Sequence, residues 1–363
     1  MAPTFDIRPY AEQHASTNGP GDARPTALQI IKDNDLLGKL SDKTILVTGG
    51  TNGIGLETVR QLAKTGAKVF FTARNEEKAK NVVQDLVEEG KTDPSLQDAK
   101  IQWVKMDQTS LQSVKEGAEE FLKRSYRLNV LVCNAGISQT PYAVTQDGFE
   151  AQFATNHLSH FYLFQLLKPL LLRSSEPNFN SRVVVVASAA NALSTVQVGN
   201  YGLDEPPKEY YDPMCEMDGD HNPMILYGSS KTANIWFSNE IERCYGAKGL
   251  HSLSLHPGVI LTAGFATLDP RVAEKLAALM NDESIMKAFK SVEQGAATQV
   301  LAAVGKDFEG KGGVYLDDCG VSQPLKEGDQ AGISGYKQWI YDEEGQRRLW
   351  KDSLDMVGLK DEQ

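Results

Sequence analysis

The sequence predicts an α/β protein built on a doubly wound parallel sheet of seven strands, three layers deep (α/β/α), in a single domain. Three observations carry this expectation. Short runs rich in Val, Ile, Leu and Thr recur from Lys43 onward, longer segments with apolar residues at helical spacing fall between them, and no linker interrupts the alternation before Tyr315.

Residues 1–42 mix Pro, Gly, Asn and Ser around a short apolar patch at Leu28 to Leu40, without repeat or alternation, and read as an N-terminal arm. The strands expected next are Thr44 to Thr48, Lys68 to Thr72, Ile101 to Lys105, Asn129 to Cys133, Arg182 to Ala187, His251 to Leu255 and Gly313 to Leu316. Helices are expected at Leu56 to Lys64, Glu76 to Glu89, Leu111 to Arg124, Phe149 to Leu172 and Ser229 to Cys244, joined by right-handed crossovers. Thr109 with Gln112, and Ser291 with Gln294, have the spacing of capping boxes. The domain is read as 43–325. Residues 326–363 form a C-terminal extension in which Tyr336 to Leu354 predicts one more surface helix. One stretch breaks the pattern: Leu193 to Pro223 is rich in prolines, acids and tyrosines, including Tyr201, Tyr210 and Tyr211. Long irregular segments inside compact domains are usually functional or mobile, so this insertion (193–223) is expected beside the active site.

Composition narrows the function classes. With 37 Lys+Arg against 48 Asp+Glu, a net charge of -11 repels polyphosphate backbones and argues against a nucleic-acid role. Cys133, Cys215, Cys244 and Cys319 lie far apart and read as reduced thiols. The longest apolar run, Phe161 to Leu172, is broken by Gln165, Lys168 and Pro169, so no transmembrane segment is expected. The start, MAPTFDIRPY, resembles no secretory signal and the terminal Asp-Glu-Gln no peroxisomal address, which leaves the cytoplasm as the expected location. The six histidines show neither an HExxH pattern nor Cys/His spacing, so no metal is expected; His157, His160 and His256 read as structural.

Directly after the first strand stands Thr48-Gly49-Gly50-Thr51-Asn52-Gly53-Ile54-Gly55, and a helix follows. Gly49 permits a tight turn, Gly53 a close approach of backbone to pyrophosphate and Gly55 close helix packing, while the helix N-terminus offers unpaired N–H groups and a positive dipole. In that strand-turn-helix position the loop predicts a dinucleotide site on a Rossmann-type fold. At the end of the second strand, Phe71-Thr72-Ala73-Arg74-Asn75 offers a guanidinium and no carboxylate before Glu76. Arg74 suits a 2′-phosphate, which favours NADP(H), unless it merely pairs with Glu76 or Glu77.

Tyr227-Gly228-Ser229-Ser230-Lys231 places phenol and ammonium on one helical face, where the cation is expected to lower the phenol pKa toward that of a useful acid/base. Ser188 ends the fifth strand and Cys133-Asn134-Ala135-Gly136 the fourth, at the strand ends where open sheets bind ligands. With the strings TGGTNGIG, TARN, MDQTS, CNAG, TNHLSHFYL, VVVASAA, YGSSK and HPGVILT, the chain resembles a classical short-chain dehydrogenase/reductase from Lys43 to about Val321. It is most similar to the retinol-dehydrogenase and WW-domain-oxidoreductase-like branch with its fungal members.

The resemblance implies NADP(H)-dependent hydride transfer on a carbonyl or alcohol. Tyr227 would be the acid/base, Lys231 would hold the nicotinamide ribose, Ser188 would bind the substrate oxygen, and Asn156 would anchor a relay water. It further implies cofactor contacts from Gly49, Thr51, Asn52, Gly53, Ile54, Gly55, Arg74, Asn75, Asp107, Gln108, Asn134, Ala135, Gly136, Tyr227, Lys231, Pro257, Gly258, Val259 and Thr262. A fungal biosynthetic member would act on a polyketide-like or terpenoid ketone. An isomerase, epimerase, cyclase or non-catalytic NADP sensor would share these motifs. In the plain family pattern Ser and Tyr stand much closer than Ser188 and Tyr227, because the insertion intervenes. The helices through which family members form homodimers are present, with the two terminal extensions able to cover them.

Overall fold

The computed structural model describes residues 5–261, 266–329 and 331–360. Two short helices, α1 (Ala11–His14) and α2 (Ala27–Asp33), precede β1 (Thr44–Val47). The alternation then runs α3 (Gly53–Ala63), β2 (Lys68–Ala73), α4 (Glu76–Glu89), β3 (Lys100–Lys105), α5 (Leu111–Arg124) and β4 (Val130–Cys133). After it come α6 (Ala151–Phe153), a π-helical turn (Ala154–Leu158), α7 (Ser159–Ser174), β5 (Ser181–Val186), α8 (Pro223–Tyr245) and β6 (Leu250–Leu255). The chain closes with α9 (Pro270–Leu279), α10 (Glu283–Ala288), α11 (Val292–Val304), β7 (Tyr315–Asp317), β8 (Gly320–Val321) and α12 (Glu343–Met356).

The strand order is β3-β2-β1-β4-β5-β6-β7-β8. The first seven strands pair in parallel, as expected; β8, a two-residue strand too short to signal itself, adds an antiparallel edge. Order reverses between β1 and β4, the switch point where open sheets leave a crevice. Successive strand residues point to opposite faces. Ile45, Val47, Val69, Phe71, Val130 and Val132 thus join one buried cluster with residues of α2, α3 and α11. Leu46, Phe70, Leu131 and Cys133 join another with residues of α5, α7 and α8.

Two local expectations need correction. The cap of α5 is Ser110, whose side chain accepts from Ser113 N–H; Thr109 instead bonds Asp107, and Gln112 bonds Glu116. The Ser291–Gln294 capping box is present. The C-terminal helix is more than a surface helix, because one of its faces is buried. On α12, Leu349, Trp350 and Leu354 are buried, and Trp350 meets Phe161 edge-on at 5.1 Å between ring centroids. The link before α12 is also pinned: Trp236 Nε1 donates to the Trp339 carbonyl (2.8 Å) and Asn239 Nδ2 to that of Ile340 (2.9 Å). The extension covers α7 and α8 because it supplies both the apolar face and the acceptors those helices lack.

The N-terminal arm is equally built in. Arg24, 4 % exposed, gathers the carbonyls of Gly19, Lys287, Ala288 and Phe289 and pairs with Asp22. One guanidinium therefore satisfies the last carbonyls of α10, which a helix end leaves unpaired.

Candidate active site

In the glycine loop the backbone turns into the left-handed region at Gly49 (φ 69°) and Gly53 (φ 51°), where a side chain would strain it. A Cβ on Gly55 would lie 2.3 Å from the Gly49 carbonyl oxygen and 2.5 Å from Asn134 Nδ2. Asn134 buttresses the loop by donating to the Thr48 carbonyl at 2.8 Å while accepting from Gln299 Nε2 at 3.1 Å. Asn52 stands at the N-cap of α3 without making a capping bond, so its side chain leaves free the first-turn N–H groups that an anion would use. Filling the Gly55 contact with a methyl group should cost about 1–3 kcal/mol. Gly55→Ala is thus expected to weaken NADPH binding roughly tenfold or more, read by titration of cofactor fluorescence; an unchanged affinity would refute the cradle.

The loop opens a cavity of about 380 Å³. Of the expected cofactor residues, Gly49, Thr51, Asn52, Gly53, Ile54, Gly55, Arg74, Asp107, Gln108, Asn134, Ala135, Gly136, Tyr227, Lys231 and Pro257 line it. Asn75 instead caps α4, accepting from Lys78 N–H at 2.9 Å. Gly258 and Val259 line the neighbouring pocket, and Thr262 lies outside the described residues. Gln108 Nε2 and Thr155 Oγ1 are buried at the cavity wall without hydrogen-bond partners, as expected of groups awaiting a polar ligand. Of the two alternative partners for Arg74, Glu76 pairs with Lys80; Arg74 itself is exposed at the end of β2.

A second cavity, about 300 Å³ and largely apolar, adjoins the first. Leu193 and Met214 from the insertion, Leu268 and Leu276 from the segment around α9, and Ile285 and Phe289 from α10 and its end form much of its wall. Ile54, Ser138, Ala187, Tyr227 and Pro257 line both cavities, which marks the seam between them. The insertion is held there by aromatic contacts: Tyr201 stacks on Phe153 (4.7 Å) and bonds Asp352, and Tyr210 packs on Trp339 (5.1 Å). A larger, acidic hollow of about 780 Å³ also lies on the insertion, lined by Asp204, Glu205, Glu216, Asp218 and Asp220, but it touches neither Tyr227 nor Lys231.

Pro223 at the first helical position and Asn222 as N-cap start α8 earlier than the sequence pattern indicates, so Tyr227 and Lys231 both sit well inside the helix. The hydroxyls of Ser188 and Ser138 face the Tyr227 phenol. Ser188 Oγ also accepts from Ala190 N–H at 3.2 Å, which leaves its own proton to donate toward the phenol. Lys231 Nζ donates to the Val186 carbonyl at 3.0 Å and stands 5.7 Å from the centroid of the Tyr227 ring.

This geometry corrects the expected electrostatics. Burial raises the Tyr227 pKa, Ser188 and Ser138 oppose the rise, and the lysine makes no direct pair with the phenol. Burial also lowers Lys231 to about 8.

Asn156 sits in the π-helical turn, a distortion common at functional sites. Its side chain accepts from Ile137 N–H at 2.9 Å and donates to the Ile137 carbonyl at 3.0 Å and to Ser230 Oγ at 2.9 Å. Its carbonyl meets His160 Nδ1 at 2.9 Å. Burial lowers His160 to about 4, so the ring is neutral and carries its proton on Nδ1. Nε2, at 2.8 Å, then accepts from Thr48 Oγ1, which in turn accepts from the Asn134 and Ala135 N–H groups at 2.9 Å each. His157 Nε2 contacts Ser353 of α12 at 2.9 Å. His256 lines the apolar pocket, burial lowers it to about 3, and neither ring nitrogen makes a well-formed hydrogen bond.

Among the described residues, no helix is long and apolar enough to cross a membrane. Ser138, which the sequence motifs pass over, is a site residue that sequence reasoning missed, as are Thr155 and Gln299. Ser138 follows CNAG without any pattern of its own and is recognisable only through its place beside Tyr227.

A switch-point crevice with a glycine cradle and a helical Tyr/Lys pair facing a strand-end serine defines a class of nucleotide-dependent oxidoreductase. The comparisons agree. The short chain dehydrogenase family model matches residues 43–202. Oxidoreductase calI of Penicillium decumbens is 46% identical over 358 residues, covering 97% of this chain and 98% of that protein. Short-chain dehydrogenase/reductase prx1 of Penicillium roqueforti is 44% identical over 352 residues, covering 97% and 96%. Among solved structures, the RhlG/NADP active-site complex of Pseudomonas aeruginosa superposes with a TM-score of 0.56 at 24% identity, over 78% of this chain and 98% of that one, a likeness of fold. The chain belongs to the short-chain dehydrogenase/reductase family of oxidoreductases.

Proposed function

We propose that the protein is an NADP(H)-dependent reductase of hydrophobic ketones or aldehydes, or the corresponding alcohol dehydrogenase, with Tyr227 as general acid/base. The observation that carries this reading is the seam: Tyr227 lines both the glycine-loop cavity and the apolar pocket, so one phenol reaches cofactor and substrate together. The nicotinamide, when bound, supplies or accepts the hydride. Tyr227 gives its proton to the substrate oxygen during reduction and takes it back during oxidation. Ser188 would turn its one hydroxyl proton from the phenol to the same oxygen, and Lys231, which lines the cavity, would hold the nicotinamide ribose. The apolar walls exclude water and select a bulky hydrophobic carbonyl, consistent with a biosynthetic polyketide-like or terpenoid ketone.

NADP(H) is preferred over NAD(H) because Arg74 offers an exposed guanidinium where a 2′-phosphate would lie. Charge-assisted hydrogen bonds contribute about 1.5–3 kcal/mol. Arg74→Ala is therefore expected to raise the Kd for NADPH about ten- to hundredfold while leaving NADH binding nearly unchanged. Equal losses for both cofactors would overturn the assignment. The test of the whole reading is NADPH against NADH oxidation with aryl ketones, quinones, aliphatic aldehydes and polycyclic ketones. Turnover with bulky ketones supports it; product formation without cofactor oxidation would point instead to an isomerase, epimerase or cyclase.

The face formed by α7 and α8, which the family resemblance marks for homodimers, carries α12 in this chain. For a homodimer to form through that face, α12 would have to leave it.

A further inference from the structure

We propose that Ser138 is a second catalytic serine of this site, its hydroxyl donating a hydrogen bond to the Tyr227 oxygen that gives up and regains the proton. The inference rests on the reductase reading above and assigns one more group to it.

Position is the first ground. Ser188 lines the apolar pocket, whereas Ser138 lines both cavities together with Tyr227. It therefore stands where proton and hydride transfer meet, and its hydroxyl, like that of Ser188, faces the phenol.

The second ground is how firmly its backbone is held. On one side, the Asn156 amide grips both the N–H and the carbonyl of Ile137. On the other, Gln139 N–H donates to Gln152 Oε1 at 2.6 Å, and the Gln139 carbonyl accepts from Asp269 N–H at 2.8 Å. Gln139 adopts φ 49°, a left-handed conformation costly for a residue other than glycine. Such strain persists only where surrounding bonds over-determine it, and it clusters at functional sites. The segment Ile137–Gln139 is thus fixed on both flanks of the serine, the preorganisation that a catalytic hydrogen bond requires. The arrangement also gives the Asn156 side chain a role of its own, as the positioning group for Ser138.

The third ground is need. A phenolate left in a buried pocket requires donors, and the Lys231 ammonium is turned to the Val186 carbonyl. Among the described residues, two hydroxyls, from Ser188 and Ser138, are the side-chain donors that face the oxygen.

The test is fluorine NMR on the full chain with a fluorinated tyrosine incorporated at position 227, titrated with pH in the presence and absence of NADP. Ser138→Ala is expected to raise the phenol midpoint by about one pH unit relative to the unsubstituted chain. Ser138→Thr, which keeps the hydroxyl, should restore it, and Ser138→Cys, a weaker donor, should fall between. On a ketone turned over by the wild type, Ser138→Ala should lower kcat about tenfold with KM for NADPH unchanged. An unmoved midpoint in both the Ala and Cys variants overturns the proposal. Turnover that survives Tyr227→Phe would instead sink the reductase reading, since the NMR midpoint reports the serine contact whether or not catalysis uses it.

Discussion

Tyr227→Phe is expected to bind NADPH as the wild type does and to lose turnover by about 10²–10⁴-fold, the range that a positioned acid/base contributes. The ring stays in place against its neighbours and only the phenolic oxygen is removed, so fold and cradle are spared. Single-turnover absorbance measurements check this, because they separate hydride transfer from product release. The pH dependence has a definite sign. Burial holds the Tyr227 pKa above that of a free phenol, so the acid form needed for reduction is present through neutral pH and reduction falls only in alkali. Oxidation requires the phenolate and should rise with pH over the same alkaline window. A reduction rate that climbs with pH, or a Phe variant with full activity, would remove Tyr227 from the mechanism.

Trp350→Ala carries the second large effect. The indole lies among Phe161, Phe164 and Phe237, at centroid distances of 5.1, 6.2 and 6.2 Å, and fastens α12 to α7 and α8. Removing a buried aromatic of this size costs about 3–5 kcal/mol, part transfer and part cavity. The denaturant midpoint should fall accordingly, and α12 amides should lose hydrogen-exchange protection before those of β1 to β6. A midpoint within error of the wild type would mean that the extension is ornamental to the core.

Much of this architecture is legible in the sequence because it is local. Strand cores from Thr44 to Leu316 announce themselves as β-rich runs, and the spacing of Tyr227 and Lys231 survives any shift in helix boundary. The glycine loop is readable because φ values such as those of Gly49 and Gly53 tolerate few other residues. What escapes reading depends on distant partners. Ser110 displaces Thr109 as cap because Asp107 captures the threonine hydroxyl. The burial of Trp350 requires a groove supplied by residues almost two hundred positions away, and Ser138 gains meaning only once β4 and α8 meet. The lysine's influence on the phenol escapes for the same reason: sequence spacing places the two on one face, but the Val186 carbonyl decides where the ammonium points.

Arg24 donates to the carbonyl of Phe289, 265 positions further along the chain. At roughly 5–20 residues per second of synthesis, the arm waits on the order of 13–53 s after its own emergence before its seat is made. The wall of the apolar pocket that contains Ile285 and Phe289 is therefore among the last parts to be completed, and so is the glycine cradle, whose Asn134 is braced by Gln299. Translation order alone thus withholds both the cofactor site and the substrate site until most of the chain has been made.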